Sequence, residues 1–135
     1  MMNVLKNQYW FKKSDYQTET LKETVDKEET KKEDNKKLYC INCKTQITEL
    51  DNVITINGSH THTFSNPAGF VYTIGCFSSA VSCTVVGELT EEHTWFLGYK
   101  WKIVMCQSCQ LQLGWLFTNS DSFYAFIEKH LTHVI

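Results

Sequence analysis

Arginine is absent from this 135-residue chain, so all 13 of its basic residues are lysines. The planar fork that reads phosphates and base edges in bidentate fashion is therefore missing, which argues against a nucleic-acid partner. Net charge is scarce as well, -2 at pH 7, and offers no electrostatic pull toward nucleic acid or an anionic membrane. No run reaches the roughly 18 apolar residues of a membrane helix. The opening Met1 to Gln8 lacks the continuous apolar segment of a signal peptide. These absences predict an intracellular protein, cytoplasmic or nuclear, with no membrane or nucleic-acid partner. Proline occurs once and glycine six times, so each becomes informative as chain punctuation. A chain of this length has room for one core.

What is present divides at about residue 37. Residues 1–37 hold nine lysines and eight acids, no glycine and no proline, with few apolar residues after Phe11. Such a segment buries too little surface to offset its ordering entropy, and its only helical stripe is Leu21 and Val25. The reading is a disordered or transiently helical tail, with Tyr9-Trp10-Phe11 as its one candidate anchor. Residues 38–135 are rich in aromatic and β-branched residues. Val53–Ile56, Phe70–Ile74 and Ser82–Val86 read as strands bounded by Asn57-Gly58, Asn66-Pro67-Ala68-Gly69 and Gly87. Trp101–Met105 and Gly114–Phe117 supply two more. The body is thus mainly β. A short C-terminal helix is expected, because Phe123, Ile127, His130 and Leu131 recur at helical spacing behind Ser120 or Asp121 as a cap.

Two C-x-x-C pairs, Cys40/Cys43 and Cys106/Cys109, are separated by the 62 residues from 44 to 105. One tight turn can aim two sulfurs at one ion, so two pairs make a closed tetrahedral site for one structural zinc. The expected ion joins the start of the domain to its final third. Two disulfides do not suit an intracellular chain, and a thioredoxin-like motif lacks its βαβ setting. Cys76 and Cys83 read as small buried thiols.

The segment Glu91 to Trp101 places Trp95 and Trp101 on either side of Gly98, and a turn there would bring the two indoles face to face. Trp115 and Phe117 share a strand face by the two-residue period. Spacing alone leaves these aromatics as either a core or the lining of a pocket. The run His93-Thr94-Trp95-Phe96-x-Gly98-Tyr99-x-Trp101, followed by the second cysteine pair and Gly114-Trp115-x-Phe117, with Ser65-Asn66-Pro67-Ala68-Gly69 upstream, resembles the CULT domain, the thalidomide-binding domain of cereblon. The resemblance runs from about Leu38 to the C-terminus.

That resemblance implies a β-tent: two antiparallel sheets set across each other and pinned by one zinc. It also implies a binding domain without enzymatic activity. The ligands would be cyclic imides, such as glutarimide, succinimide, thalidomide-type compounds or peptides ending in a cyclised imide. By the same resemblance Trp95, Trp101 and Trp115 wall the ring and Phe117 closes the floor. The backbone from His93 through Thr94 to Trp95 hydrogen-bonds the imide, while Asn66 and Pro67 form the rim. A neutral planar imide with one N–H between two carbonyls suits apolar walls plus a few backbone partners. His93 fits a ligand-facing donor or a structural histidine, whereas His60, His62, His130 and His133 carry no motif and read as solvated or core residues. The chain has no room for a long amino-terminal region or an adaptor-docking helix, so a ligase adaptor is not an expected partner. The link to ubiquitin chemistry rests on resemblance alone.

Two other readings share some of these residues. The double C-x-x-C is similar to methionine sulfoxide reductase B, whose nucleophile here would have to be Cys76 or Cys83. That family's catalytic segment, an arginine and phenylalanine before a cysteine near the C-terminus, is missing, and the chain has no arginine at all. An aromatic cage beside Glu91 and Glu92 also suits a methylated ammonium, which would require a positively charged ligand.

Overall fold

β-branched and aromatic residues carry the described residues through nine strands. A computed structural model describes residues 35–134, so all but the last three residues of the expected tail lie outside the described residues. The strands are β1 (Lys37–Cys40), β2 (Gln46–Glu49), β3 (Thr61–Ser65), β4 (Val71–Phe77), β5 (Cys83–Thr90), β6 (Lys100–Cys106), β7 (Gln112–Thr118), β8 (Ser122–Ile127) and β9 (Leu131–Thr132). They form a three-stranded sheet, β2-β1-β9, and a six-stranded sheet, β3-β4-β8-β7-β6-β5. Every named pairing is antiparallel. The protein is mainly β, with two antiparallel sheets as expected.

One face of the larger sheet builds the main core. Ile103, Trp115, Ala125 and Cys76 lie opposite one another across β6, β7, β8 and β4. A second row runs Trp101, Phe117 and Phe123. Directly paired residues share a face, and this face packs Ile74, Cys76, Trp115, Phe117, Phe123, Ala125 and Ile127 with Phe96 of the β5–β6 loop. The opposite face carries Phe126, whose ring lies 5.8 Å from Phe77 and 5.5 Å from Tyr124. Phe126 is flanked by glycine on both neighbouring strands, Gly75 on β4 and Gly114 on β7. At Gly114 a Cβ would lie 2.0 Å from the Ala125 carbonyl oxygen, so only glycine allows β7 and β8 to approach this closely.

Several elements depart from the sequence reading. The apolar spacing at Phe123 and Ile127 belongs to strand β8, and in this C-terminal segment helix is confined to one 3-10 turn, Glu128–His130. The period of two is hidden there because Phe123, Ala125 and Ile127 are buried on one face while Phe126 is buried on the other. Val53–Ile56 is not a strand. Val53 makes one bridge to Phe77, and Ile56 closes on Ser59 around Asn57 and Gly58, with φ of 53° and 88°, the two-residue turn that Asn-Gly favours. Gly87 does not end β5, because the strand continues to Thr90 through a register shift between Val86 and Thr90, which is the bulge glycine permits. Strands β1, β2 and β3 were too short or too polar to read.

Candidate functional site

The two cysteine pairs sit on matching turns. In the first, between β1 and β2, the Lys44 amide donates to the Cys40 carbonyl (2.9 Å) and the Cys40 amide to the Thr45 carbonyl (2.8 Å). In the second, between β6 and β7, Gln110 donates to Cys106 (2.9 Å) and Cys106 to Leu111 (2.8 Å). Lys44 and Gln110, each the residue after the second cysteine, share left-handed φ values of 66° and 64°. Each turn therefore points two sulfurs outward from one knuckle, and the fold brings the knuckles together. Cys40 and Cys109 Sγ are 3.7 Å apart, Cys43 and Cys106 Sγ 3.5 Å, and all four sulfurs lie within 4.8 Å of one another. This cluster can hold one metal ion, and because β1–β2 and β6–β7 belong to different sheets, that ion would join the sheets.

The thiols differ in acidity. Hydrogen bonding with Thr45, whose Oγ1 lies 3.2 Å from Cys43 Sγ, draws the Cys43 thiol down to about 6, whereas burial pushes Cys40 up to about 12. Outside the cluster, burial raises Cys76 to about 12 and, with help from the nearby Cys106, raises Cys83 to about 12. Cys76 is wholly buried on the core face, and Cys83 lies opposite Cys106 in the β5–β6 register. Cys76 matches its reading as a small buried thiol, whereas Cys83 is only half-buried.

The tryptophans converge on the core face of the larger sheet. Trp95 lies in the β5–β6 loop, where the Tyr99 amide donates to the Phe96 carbonyl (2.9 Å) across a turn completed by Gly98 at φ 90°. The turn is the expected one, but the indole that Trp95 meets is Trp115, edge-on with centroids 4.7 Å apart and planes at 69°. No ring contact joins Trp95 to Trp101 among the described residues. Trp101 stands on β6 opposite Phe117, hence diagonal to Trp115, which faces Ile103. Two indole N–H groups are committed to backbone carbonyls, Trp95 Nε1 to Ser65 (3.2 Å) and Trp101 Nε1 to Glu92 (2.9 Å). Those bonds fix the rings and leave their faces apolar.

Phe117 lies deeper than the tryptophans. It is 1% exposed, between Phe96 (4.9 Å) and Phe123 (5.5 Å), so it supports the aromatic layer from below. His93 is exposed with left-handed φ of 60°, its Nε2 3.7 Å from a Glu92 carboxylate oxygen. The Thr94 hydroxyl bonds the Phe96 carbonyl (3.3 Å), tightening the loop. No hydrogen bond joins the His93 carbonyl or the Trp95 amide to any described residue. Asn66 closes the β3–β4 hairpin: its Oδ1 accepts from the Phe70 amide (2.9 Å), its carbonyl from the Gly69 amide (2.9 Å), and Pro67 is exposed at the tip. One ring nitrogen of each of His60, His62, His130 and His133 lies within bonding distance of a backbone carbonyl. These four are structural.

The sequence reading missed Phe64 and Tyr72. They pair across β3 and β4, with Phe64 stacked on Trp95 (5.0 Å, 15°) and Tyr72 against both Trp95 (6.1 Å) and Trp115 (5.2 Å). The available signal was the alternation Thr61-His62-Thr63-Phe64 leading into the Asn66–Gly69 turn.

No family model matches this chain. It is 29% identical over 83 residues to protein cereblon of Danio rerio, an overlap covering 60% of this chain and 19% of that protein. It is 30% identical over 83 residues to protein cereblon of Gallus gallus, with the same coverage of 60% and 19%. Against protein cereblon of Drosophila willistoni it is 26% identical over 87 residues, 62% of this chain and 14% of that protein. The chain thus spans about a fifth or less of the length of the curated relatives it matches, and it carries a cereblon-like region.

Proposed function

We propose that residues 38–135 form a non-enzymatic binding domain that holds a neutral cyclic imide, free or at the end of a peptide, among Trp95, Trp101 and Trp115. The observation that carries the proposal is an acceptor and a donor on the Trp95 loop that bond no described residue, the His93 carbonyl and the Trp95 amide, together with the Trp95 and Trp101 indoles, whose own N–H groups are spent on backbone carbonyls. An imide presents the complement: one N–H for the carbonyl, a C=O for the amide, and methylenes for the ring faces. Asn66 and Pro67 would border the ligand, Thr94 would hold the loop, and Phe117 would support the floor.

Within the same proposal the metal is a single structural zinc held by Cys40, Cys43, Cys106 and Cys109. Tetrahedral sulfurs about 2.3 Å from zinc stand roughly 3.8 Å apart, and the separations of 3.5 and 3.7 Å suit that edge. Zinc bound there supplies a cross-link and takes no part in ligand chemistry. A cysteine-based enzyme is disfavoured because Cys76 and Cys83, with thiols near 12, are far from the thiolate a nucleophile needs.

The test is a titration of intrinsic tryptophan fluorescence with glutarimide and thalidomide, on the zinc-loaded protein and on Trp101→Ala. Saturable quenching that disappears in a folded, zinc-loaded Trp101→Ala supports the cage. No response from the wild type sinks it. A response to a trimethyl-lysine peptide but not to neutral glutarimide would replace it with an ammonium-reading cage.

A further inference from the structure

We propose that Phe64 is the positioning residue of the aromatic cage: it holds Trp95, a loop residue, at the angle to Trp115 that a ligand would meet. The inference rests on the cage reading for its link to binding, although the placement of Trp95 is measurable without any ligand.

Trp101 and Trp115 need no such help, because each sits within a paired strand, β6 or β7. Trp95 lies outside any strand, between two left-handed residues, His93 and Gly98, and its amide bonds no described residue. Its side chain is tied instead to the β3–β4 hairpin. Phe64 stacks on it at 5.0 Å and 15°, the Ser65 carbonyl accepts its Nε1–H at 3.2 Å, and Tyr72 leans on it at 6.1 Å and 45°. Phe64 can act as an anchor because it is itself fixed. It is registered opposite Tyr72, meets Phe96 edge-on (5.4 Å, 79°) and stacks on His62 (5.7 Å, 6°). The His62 ring is pinned in turn, with Nε2 donating to the Ile56 and Ser59 carbonyls at 3.1 and 3.0 Å. The rings His62, Phe64 and Trp95 form one continuous stack from the hairpin to the cage wall. A wall fixed before binding spares the ligand the cost of ordering it.

The geometry supplies a readout independent of ligand. Two indoles 4.7 Å apart at 69° couple their electronic transitions and should give a paired positive and negative band in the far-ultraviolet circular dichroism, absent in Trp95→Phe and in Trp115→Phe. The experiment compares wild type, Phe64→Ala, Phe64→Leu and Phe64→Tyr, all with zinc loading verified. Phe64→Tyr should keep the couplet and the wild-type glutarimide affinity. Phe64→Ala should lose most of the couplet and bind roughly tenfold more weakly, the upper end of what one aromatic pair contributes. If Phe64→Ala does not fold, Phe64→Leu keeps the apolar volume without the stacking plane and should show the same losses. A couplet missing from the wild type, or undiminished in Phe64→Ala or Phe64→Leu, overturns the proposal. A couplet lost on substitution in a protein whose wild type ignores imides upholds Phe64 as the positioner of Trp95 while the imide reading falls by itself.

Discussion

Substituting Gly114 by alanine should cost far more than a glycine-to-alanine change usually does. The added Cβ would stand 2.0 Å from the Ala125 carbonyl oxygen and 2.9 Å from both the Ala125 carbonyl carbon and Phe126 Cα. All three neighbours are backbone atoms of β8, so no side chain can swing aside, and β7 must move away by about 1 Å. Ladder bonds near 2.9 Å stretched by that amount pass beyond hydrogen-bonding range. Losing about two of them removes roughly 1 to 3 kcal/mol. Displacing Trp115 and Phe126 from a close-packed interior adds about 1 to 3 kcal/mol. A loss of about 3 kcal/mol, out of the roughly 5 to 15 kcal/mol typical of a domain, should lower the urea midpoint of the zinc-saturated protein without changing the slope. Gly58→Ala is the control. Its Cβ would meet nothing within 4 Å, and only its left-handed φ of 88° is penalised, which costs about 1 kcal/mol. A Gly114→Ala loss no larger than that of Gly58→Ala would refute the argument from the close approach of β7 and β8.

Metal removal should unfold the domain rather than loosen it, because apparent zinc-binding energies of about 10 to 16 kcal/mol in four-ligand sites rival the whole stability of a small domain. Chelation should abolish the cooperative thermal transition, and about one equivalent of zinc should restore it. A chelated protein that melts within a few degrees of the loaded one would show that the sheets hold together without the ion. The buried thiol of Cys76 predicts an alkaline dependence. Its folded value of about 12 lies above the ordinary 9.0, so the folded protein keeps a proton that the unfolded chain releases. The contribution is complete below pH 9 and is lost as pH rises toward 12, up to about 4 kcal/mol. The stability difference between wild type and Cys76→Ala should therefore shrink across that window, and a difference independent of pH would contradict the burial of this thiol.

What the sequence determined by itself was local chemistry. The C-x-x-C spacing is a property of one turn, so Cys40, Cys43, Cys106 and Cys109 could be named as ligand candidates before any fold was known. The Asn57-Gly58 and Asn66–Gly69 turns were legible for the same reason, since their backbone demands fall on adjacent residues. The strand face shared by Trp115 and Phe117 followed from a period of two, and β8 was misread because burial on both faces erases that period. Only the tertiary structure decided what depends on distant pairing. It set β1–β2 against β6–β7 so that 62 intervening residues end in sulfurs 3.5 and 3.7 Å apart. It turned Trp95 toward Trp115, and it brought Phe64 and Tyr72 beside them. Those neighbours are fixed by strand order and register, which arise from the packing of the whole sheet and leave no mark in the spacing of any one segment.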